Sequence, residues 1–199
     1  MSQDSDFLVG GDELFHNKRF VEHYQFMKKE YIPRISRPIA FFMSCSKHKP
    51  FYTSPYRRVF NSMLEKKLSI KTLTQIYTIS EPAIVVPEEL DGTPIVHYDF
   101  PPSNLGEEGR QIFVNRLSKI LPKLLESHRY CFYVLPKHHR KIFENTLDKI
   151  ENIYKKQNKD FKKLEQKISY APPVIYNLPK VREVIRRKID LEEPTLNEK

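Results

Sequence analysis

Pro38-Ile39-Ala40-Phe41-Phe42-Met43, running into Ser44-Cys45-Ser46-Lys47-His48-Lys49-Pro50-Phe51-Tyr52-Thr53-Ser54-Pro55-Tyr56-Arg57-Arg58, decides how this chain reads. The apolar run has the character of a buried strand. Beyond the polar stretch, Val59, Phe60, Met63, Leu64 and Leu68 recur at helical spacing. A strand that feeds a helix through a polar, cationic loop is where open α/β sheets place their ligands. This loop carries hydroxyls, a thiol, an imidazole and ammonium groups but no carboxylate. That chemistry suits an anionic or electron-poor partner.

The helix start is legible residue by residue. Ser54 has the side chain of an N-cap. Pro55 fits the first helical position, where its missing N–H has no partner to lose. Arg57 and Arg58 then fall in the first turn, beside the positive end of the helix dipole, where acids are the usual choice. Two arginines there read either as guanidiniums turned to solvent or as a place where a phosphate docks.

Working outward, the residues before Asp12 look like a disordered lead (1–11), and Asp12 is placed to cap a helix running to about Tyr31. Thr74–Ile79 is β-branched and aromatic, as in a strand. Ala83–Val86, set between Pro82 and Pro87, suits an edge strand or loop. Pro94–Phe100 reads as a further strand, stopped by Pro101-Pro102. Ile112, Leu117, Ile120, Leu121, Leu124 and Leu125 mark a helix in which Pro122 should produce a kink or local defect. Arg129–Leu135 is another buried strand, and Ile142, Phe143, Leu147, Ile150 and Tyr154 another helix. Strands alternating with helices predict a single α/β domain with a mostly parallel sheet over residues 12–154. From Lys155 the composition turns cationic, so 155–199 reads as a basic C-terminal appendage with an amphipathic helix carrying Arg186 and Arg187.

Composition narrows the partner. The 199 residues include 34 Lys and Arg against 25 Asp and Glu, a formal net charge of +9. That balance favours a polyanion, nucleic acid first. Cys45 and Cys131 lie far apart and read as separate reduced thiols. No apolar run approaches the roughly 18 residues of a membrane span. The polar, acidic first residues are unlike a signal peptide, so the expectation is a cytoplasmic protein without membrane partners. Five glycines are few for a nucleotide cradle, and no phosphate-binding loop or dinucleotide fingerprint is present.

Two groups of residues stand out as candidate chemistry. Lys49, crowded by Lys47 and His48, could act as a nucleophile or base, or simply belong to a solvated loop. His97 and Asp99, two apart at a strand end, could be a base and its orienting carboxylate. They could equally be a histidine satisfied by backbone and an aspartate capping a turn. The adjacent His138 and His139 have no carboxylate or cysteine near them in sequence. No metal site or cofactor is therefore expected.

Cys45, Ser46, Lys49, Pro50 and Ser54, with the downstream block Val86-Pro87-Glu88-Glu89-Leu90, Pro94 and His97-Tyr98-Asp99, resemble the core domain of archaeosine synthase, a paralogue of the archaeal tRNA-guanine transglycosylase. The resemblance spans about Phe20 to Leu135. It implies a uracil-DNA-glycosylase-like three-layer fold. It also implies chemistry in tRNA modification, in which free lysine adds to the nitrile of 7-cyano-7-deazaguanine (preQ0). On that likeness Lys49, Cys45, Ser46 and Ser54 would line the site with His97 and Asp99 opposite. Lys47, His48, Arg57, Arg58, Arg186 and Arg187 would hold nucleic acid. A separate tRNA-binding subunit would be a further partner. The chain departs from the family pattern at Ser44 for proline, Phe51 for tyrosine and Arg57 for histidine. A guanidinium cannot serve as general base, so a non-catalytic nucleic-acid-binding or assembly protein on the same fold is the alternative.

Overall fold

The computed structural model describes residues 7–189, and within these not the side chains of residues 174–177. The elements in chain order are β1 (Leu8–Val9), α1 (Lys18–Lys29), β2 (Ile39–Ser44), α2 (Pro55–Lys66), β3 (Thr74–Ser80), β4 (Ile84–Pro87), β5 (Tyr98–Asp99), α3 (Glu107–Ser127), β6 (Tyr130–Val134), α4 (Lys137–Lys156), α5 (Lys162–Glu165), β7 (Ile168–Tyr170) and α6 (Val174–Ile189). Among the described residues five strands form the main sheet in the order β4-β3-β2-β6-β7. β2, β3, β6 and β7 are parallel, and β4 returns antiparallel to β3 at one edge. This is an α/β domain on a mixed sheet, with helices on both faces.

The apolar run through β2 is continuous because both faces of this central strand are covered. Side chains alternate across the pleat. Ala40 and Phe42 belong to the core that takes in α1, α3 and α4. Ile39, Phe41 and Met43 belong to the opposite core, under α2 and α6. Phe42 meets Phe143 of α4 at 5.3 Å between ring centroids, and Phe41 meets Phe60 of α2 at 5.0 Å. One strand thus ties both helical layers together.

Several expectations change. The predicted helix from Asp12 divides into a 3₁₀ turn, Asp12–His16, and α1, which is capped by Asn17. Asp12 serves another helix: its carboxylate accepts from the amides of Gly106 and Gly109 at 3.0 and 2.9 Å, closing the N-terminus of α3. A Cβ on Gly109 would fall 2.1 Å from that carboxylate, so any larger residue there would displace the Asp12 cap. The expected strand over 94–100 contracts to β5, because Pro94–Val96 forms a 3₁₀ turn. β5 pairs with β1, outside the main sheet. Part of the lead is therefore ordered, while residues 1–6 lie outside the described residues.

α3 runs unbroken through Pro122. The boundary drawn after residue 154 is corrected as well. β7 extends the sheet beside β6, and Val181 and Ile185 of α6 are fully buried in the core with α2. Residues 155–189 complete the domain instead of hanging from it. The acidic tail after Asp190 lies outside the described residues. Among the described residues no helix is long and apolar enough to cross a membrane.

Candidate functional site

The C-terminal ends of β2, β3 and β6 open onto one cavity of about 410 Å³. Ser44, Cys45, Ser46, Lys47 and Lys49 contribute the wall that follows β2. Glu81 comes from the turn after β3, and Pro136, His138 and His139 from the start of α4 after β6. Tyr98, Asp99 and Phe100 close the far side. Parallel strands leave their carboxyl ends together at one rim, and crossover loops diverge above it.

The loop after β2 is held at several points. The Cys45 amide donates to the Ile79 carbonyl at 3.0 Å, which extends the ladder one step past the strand. Phe51 is buried, and the carboxylate of Asp91 accepts from the amides of Phe51 and Tyr52 at 2.6 and 2.8 Å. Ser54 accepts from the Arg57 amide at 3.2 Å, as its cap position requires. Between these anchors Lys49 reaches across the cavity. Its Nζ donates to the Tyr98 carbonyl and lies 4.2 Å from the centroid of the Tyr98 ring. Burial pulls the Lys49 pKa below that of an ordinary lysine, while Cys45 and Asp99 oppose the shift.

The cavity floor holds a buried polar cluster. His139 Nε2 lies 3.0 Å from Glu81 Oε2 and 3.8 Å from Cys45 Sγ. His138 Nε2 lies 2.8 Å from the other carboxylate oxygen, Oε1. Burial alone would lower the pKa of His139, but Glu81 and Cys45 push it up to about 10. Burial would likewise raise the Glu81 carboxyl, but the two imidazoles hold it well below the usual carboxylate range. The floor of the cavity therefore carries an ion pair whose cationic member faces a sulfur.

Sequence reasoning brings together Lys49, Cys45, Ser46, Lys47 and Asp99, all of which line the cavity. Three other assignments do not reach the cavity. Ser54 is buried as a helix cap. Arg57 is 2% exposed and donates to Thr78 Oγ1 at 2.8 Å. Asp91 is the acid that most favours its charge, and burial keeps Arg57 from a phosphate at the surface. His97 lies outside the cavity wall, and its carbonyl accepts from the Leu8 amide and from Arg19. The predicted strand contracts to Tyr98–Asp99 and leaves His97 outside it, which removes the facing pair it was to make with Asp99. Arg58 lies instead on a groove that α2 shares with Leu178 of α6.

Arg186 and Arg187 also sit away from the site. Their neighbour Lys188 donates to the carbonyl of Gln166, just before β7 begins. That is the amino end of the parallel strands, across the sheet from the cavity. His48 is exposed, and its carbonyl accepts from the Ser46 hydroxyl at 3.0 Å.

Glu81, His138 and His139 are the residues the sequence did not join to the site. A signal existed in Ile79-Ser80-Glu81-Pro82, an acid at the carboxyl end of a buried parallel strand. The two histidines likewise follow the buried strand β6. What the sequence does not state is that β3, β2 and β6 are adjacent.

A family model described as "Domain of unknown function (DUF5591)" matches residues 18–171. None of the curated proteins compared with this chain matches it. A solved crystal structure described as "AF0587, a protein of unknown function" is similar with a TM-score of 0.54 and 18% identity, over 88% of this chain and 51% of that one. The chain thus spans about half the length of that relative. At this identity the likeness is one of fold.

Proposed function

We propose, on the premise that this chain belongs to the DUF5591 family, that its cavity receives a modified base of tRNA and promotes addition of a free amine, lysine, to the nitrile of that base. The reading rests on the position of Lys49. Its amine is drawn into a cavity whose floor also holds the imidazoles of His138 and His139. Addition to a nitrile needs a neutral amine at carbon and a proton for the nitrogen that becomes anionic. A desolvated Lys49 accepts a proton from the incoming ammonium. The neutral amine then bonds to the nitrile carbon as one carbon–nitrogen π bond breaks. The nitrile nitrogen takes a proton from a donor on the floor, the added nitrogen returns one to that donor, and a neutral amidine results.

Phe100, largely buried against Phe15, contributes an apolar edge to the cavity wall against which a splayed-out base can pack. Withdrawing the base from its stack costs a few kcal/mol, least where it is already unpaired. The finer kinship with uracil-DNA-glycosylase-like domains belongs to this reading, as does a separate tRNA-binding subunit.

A second reading has one observation in its favour. Arg57, where the resembled pattern has histidine, is spent on packing. A non-catalytic nucleic-acid-binding protein would tolerate that exchange. One assay separates the two: the protein, preQ0-containing tRNA and labelled lysine, with Lys49→Ala beside the natural chain. Transfer by the natural chain and its loss in the variant are expected. Undiminished transfer by Lys49→Ala overturns the site. No transfer, with RNA binding whose log affinity falls linearly with log salt, selects the second reading.

A further inference from the structure

We propose that Cys45, Glu81 and His139 form a binding site for one divalent transition-metal ion, zinc by the chemistry of its ligands, with a fourth coordination position open to the cavity. The three donor atoms, Cys45 Sγ, a Glu81 carboxylate oxygen and His139 Nε2, lie within 4.8 Å of one another. Each comes from the end of a different strand, so no two are near in sequence. Tetrahedral zinc bonds of about 2.3 Å to sulfur and about 2.0–2.1 Å to nitrogen and oxygen set the expected separations. They place S and N about 3.6 Å apart and N and O about 3.4 Å apart. The observed separations are 3.8 Å and 3.0 Å. These two pairs meet the geometry of a metal site with shifts of a few tenths of an ångström, and the sulfur and carboxylate oxygen lie within 4.8 Å of each other.

The hydrogen-bonding argument points the same way. His139 uses one nitrogen, Nε2, toward both the sulfur and the carboxylate. A ring nitrogen carries at most one hydrogen, and one hydrogen cannot serve both acceptors well. A relay of the nucleophile–base–acid kind would use the two ring nitrogens separately, one toward each partner. Here a cation at the centre of the three atoms satisfies all of them at once.

The surrounding groups fit their supporting parts. His138 Nε2 holds the second oxygen of Glu81, the kind of outer contact that orients a ligating carboxylate. Cys45, Glu81, His138 and His139 all line the cavity, which leaves the fourth position to water or substrate, as in catalytic zinc sites. A thiolate and an imidazole select zinc, cobalt or iron over magnesium and calcium. A metal in this place would put a Lewis acid where the floor otherwise presents a protonated imidazole. The proposal concerns the same cavity as the amine-addition reading but does not rest on it.

The test uses the full chain without a histidine tag, stripped of metal, reduced and kept free of oxygen, with no nucleic acid present. Cobalt(II) is titrated in and followed by absorption. One equivalent should bind and give a near-ultraviolet thiolate-to-cobalt charge-transfer band with the strong visible absorption of tetrahedral cobalt, and zinc should displace it. Cys45→Ser should abolish the charge-transfer band, while Cys131→Ser keeps it. His138→Gln, which removes a positioning residue, should keep the band and weaken affinity about 10–100-fold. Circular dichroism establishes that each variant is folded. A folded natural chain that binds no cobalt at one equivalent overturns the proposal. So does cobalt binding of unchanged affinity in Cys45→Ser. Cobalt binding without lysine transfer would overturn only the amine-addition reading.

Discussion

α2 and α4 begin alike and end differently. Neither helix has an acid in its first turn, and both carry basic side chains there, Arg57 and Arg58 on α2 and Lys137, His138 and His139 on α4. By local rules both are unfavourable beside the helix dipole. On α2 the cap is satisfied by Ser54, and Arg57 folds inward to Thr78 with Asp91 as its counter-charge. On α4 no side chain caps the first turn, and His138 and His139 turn to Glu81 at the floor of a cavity. The same sequence signal yields a structural strut in one place and a candidate site in the other. What decides between them is an acid distant in sequence, and whether a cavity lies beside it.

Removing Arg57 is the severest way to break this comparison. Arg57→Ala empties a buried site, leaves Thr78 Oγ1 without its donor and should cost about 2–5 kcal/mol of stability, read from denaturant unfolding. Below the unfolding transition, RNA affinity should be unchanged, since the guanidinium does not reach the surface. His139→Gln should cost less, about 1–3 kcal/mol, because Glu81 keeps His138 as a partner.

The histidines that lack an acid sharpen the contrast. His23 is bonded to the Val85 carbonyl, and His128 lies between the Arg37 carbonyl and the Tyr77 hydroxyl. Burial pulls the pKa of both below the usual 6.5. The unfolded chain then takes up protons first as pH falls. The stability linked to these neutral rings is complete above about pH 6.5 and drains away as acid carries the pH toward their folded values. Unfolding measured from pH 7 downward should show that loss, and His23→Gln should flatten it. The smallest effect belongs to Arg58→Ala on the exposed side of α2, with stability within about 0.5 kcal/mol of the natural chain.

Much of the fold could be read before the structure. Ile39–Met43, Thr74–Ile79 and Arg129–Leu135 announce central strands because buried parallel strands are apolar along their whole length. Ser54-Pro55 marks a helix start to the residue. Pro94–Phe100 misled because Ile95, Val96 and Tyr98 are buried around a 3₁₀ turn, and burial in an irregular segment imitates a strand. The C-terminal segment looked detachable because its lysines and arginines outnumber the few apolar residues, Val181 and Ile185, that hold α6 to the sheet. In the cavity, the β2 loop was visible because Cys45, Ser46 and Lys49 are close in sequence. Glu81 and His139 were not, since strand order alone makes them neighbours of Cys45.

The claim that the strand-end cavity is where nucleic acid is engaged can be tested by photo-crosslinking. Irradiation of the full chain with tRNA carrying the nitrile base, followed by mass spectrometry of the crosslinked peptides, locates that base directly. The adduct is expected on the peptides carrying Cys45–Lys49 and Tyr98–Pro102, which line the cavity. Crosslinks confined to the α2–α6 side, around Arg58 or Arg187, would contradict it.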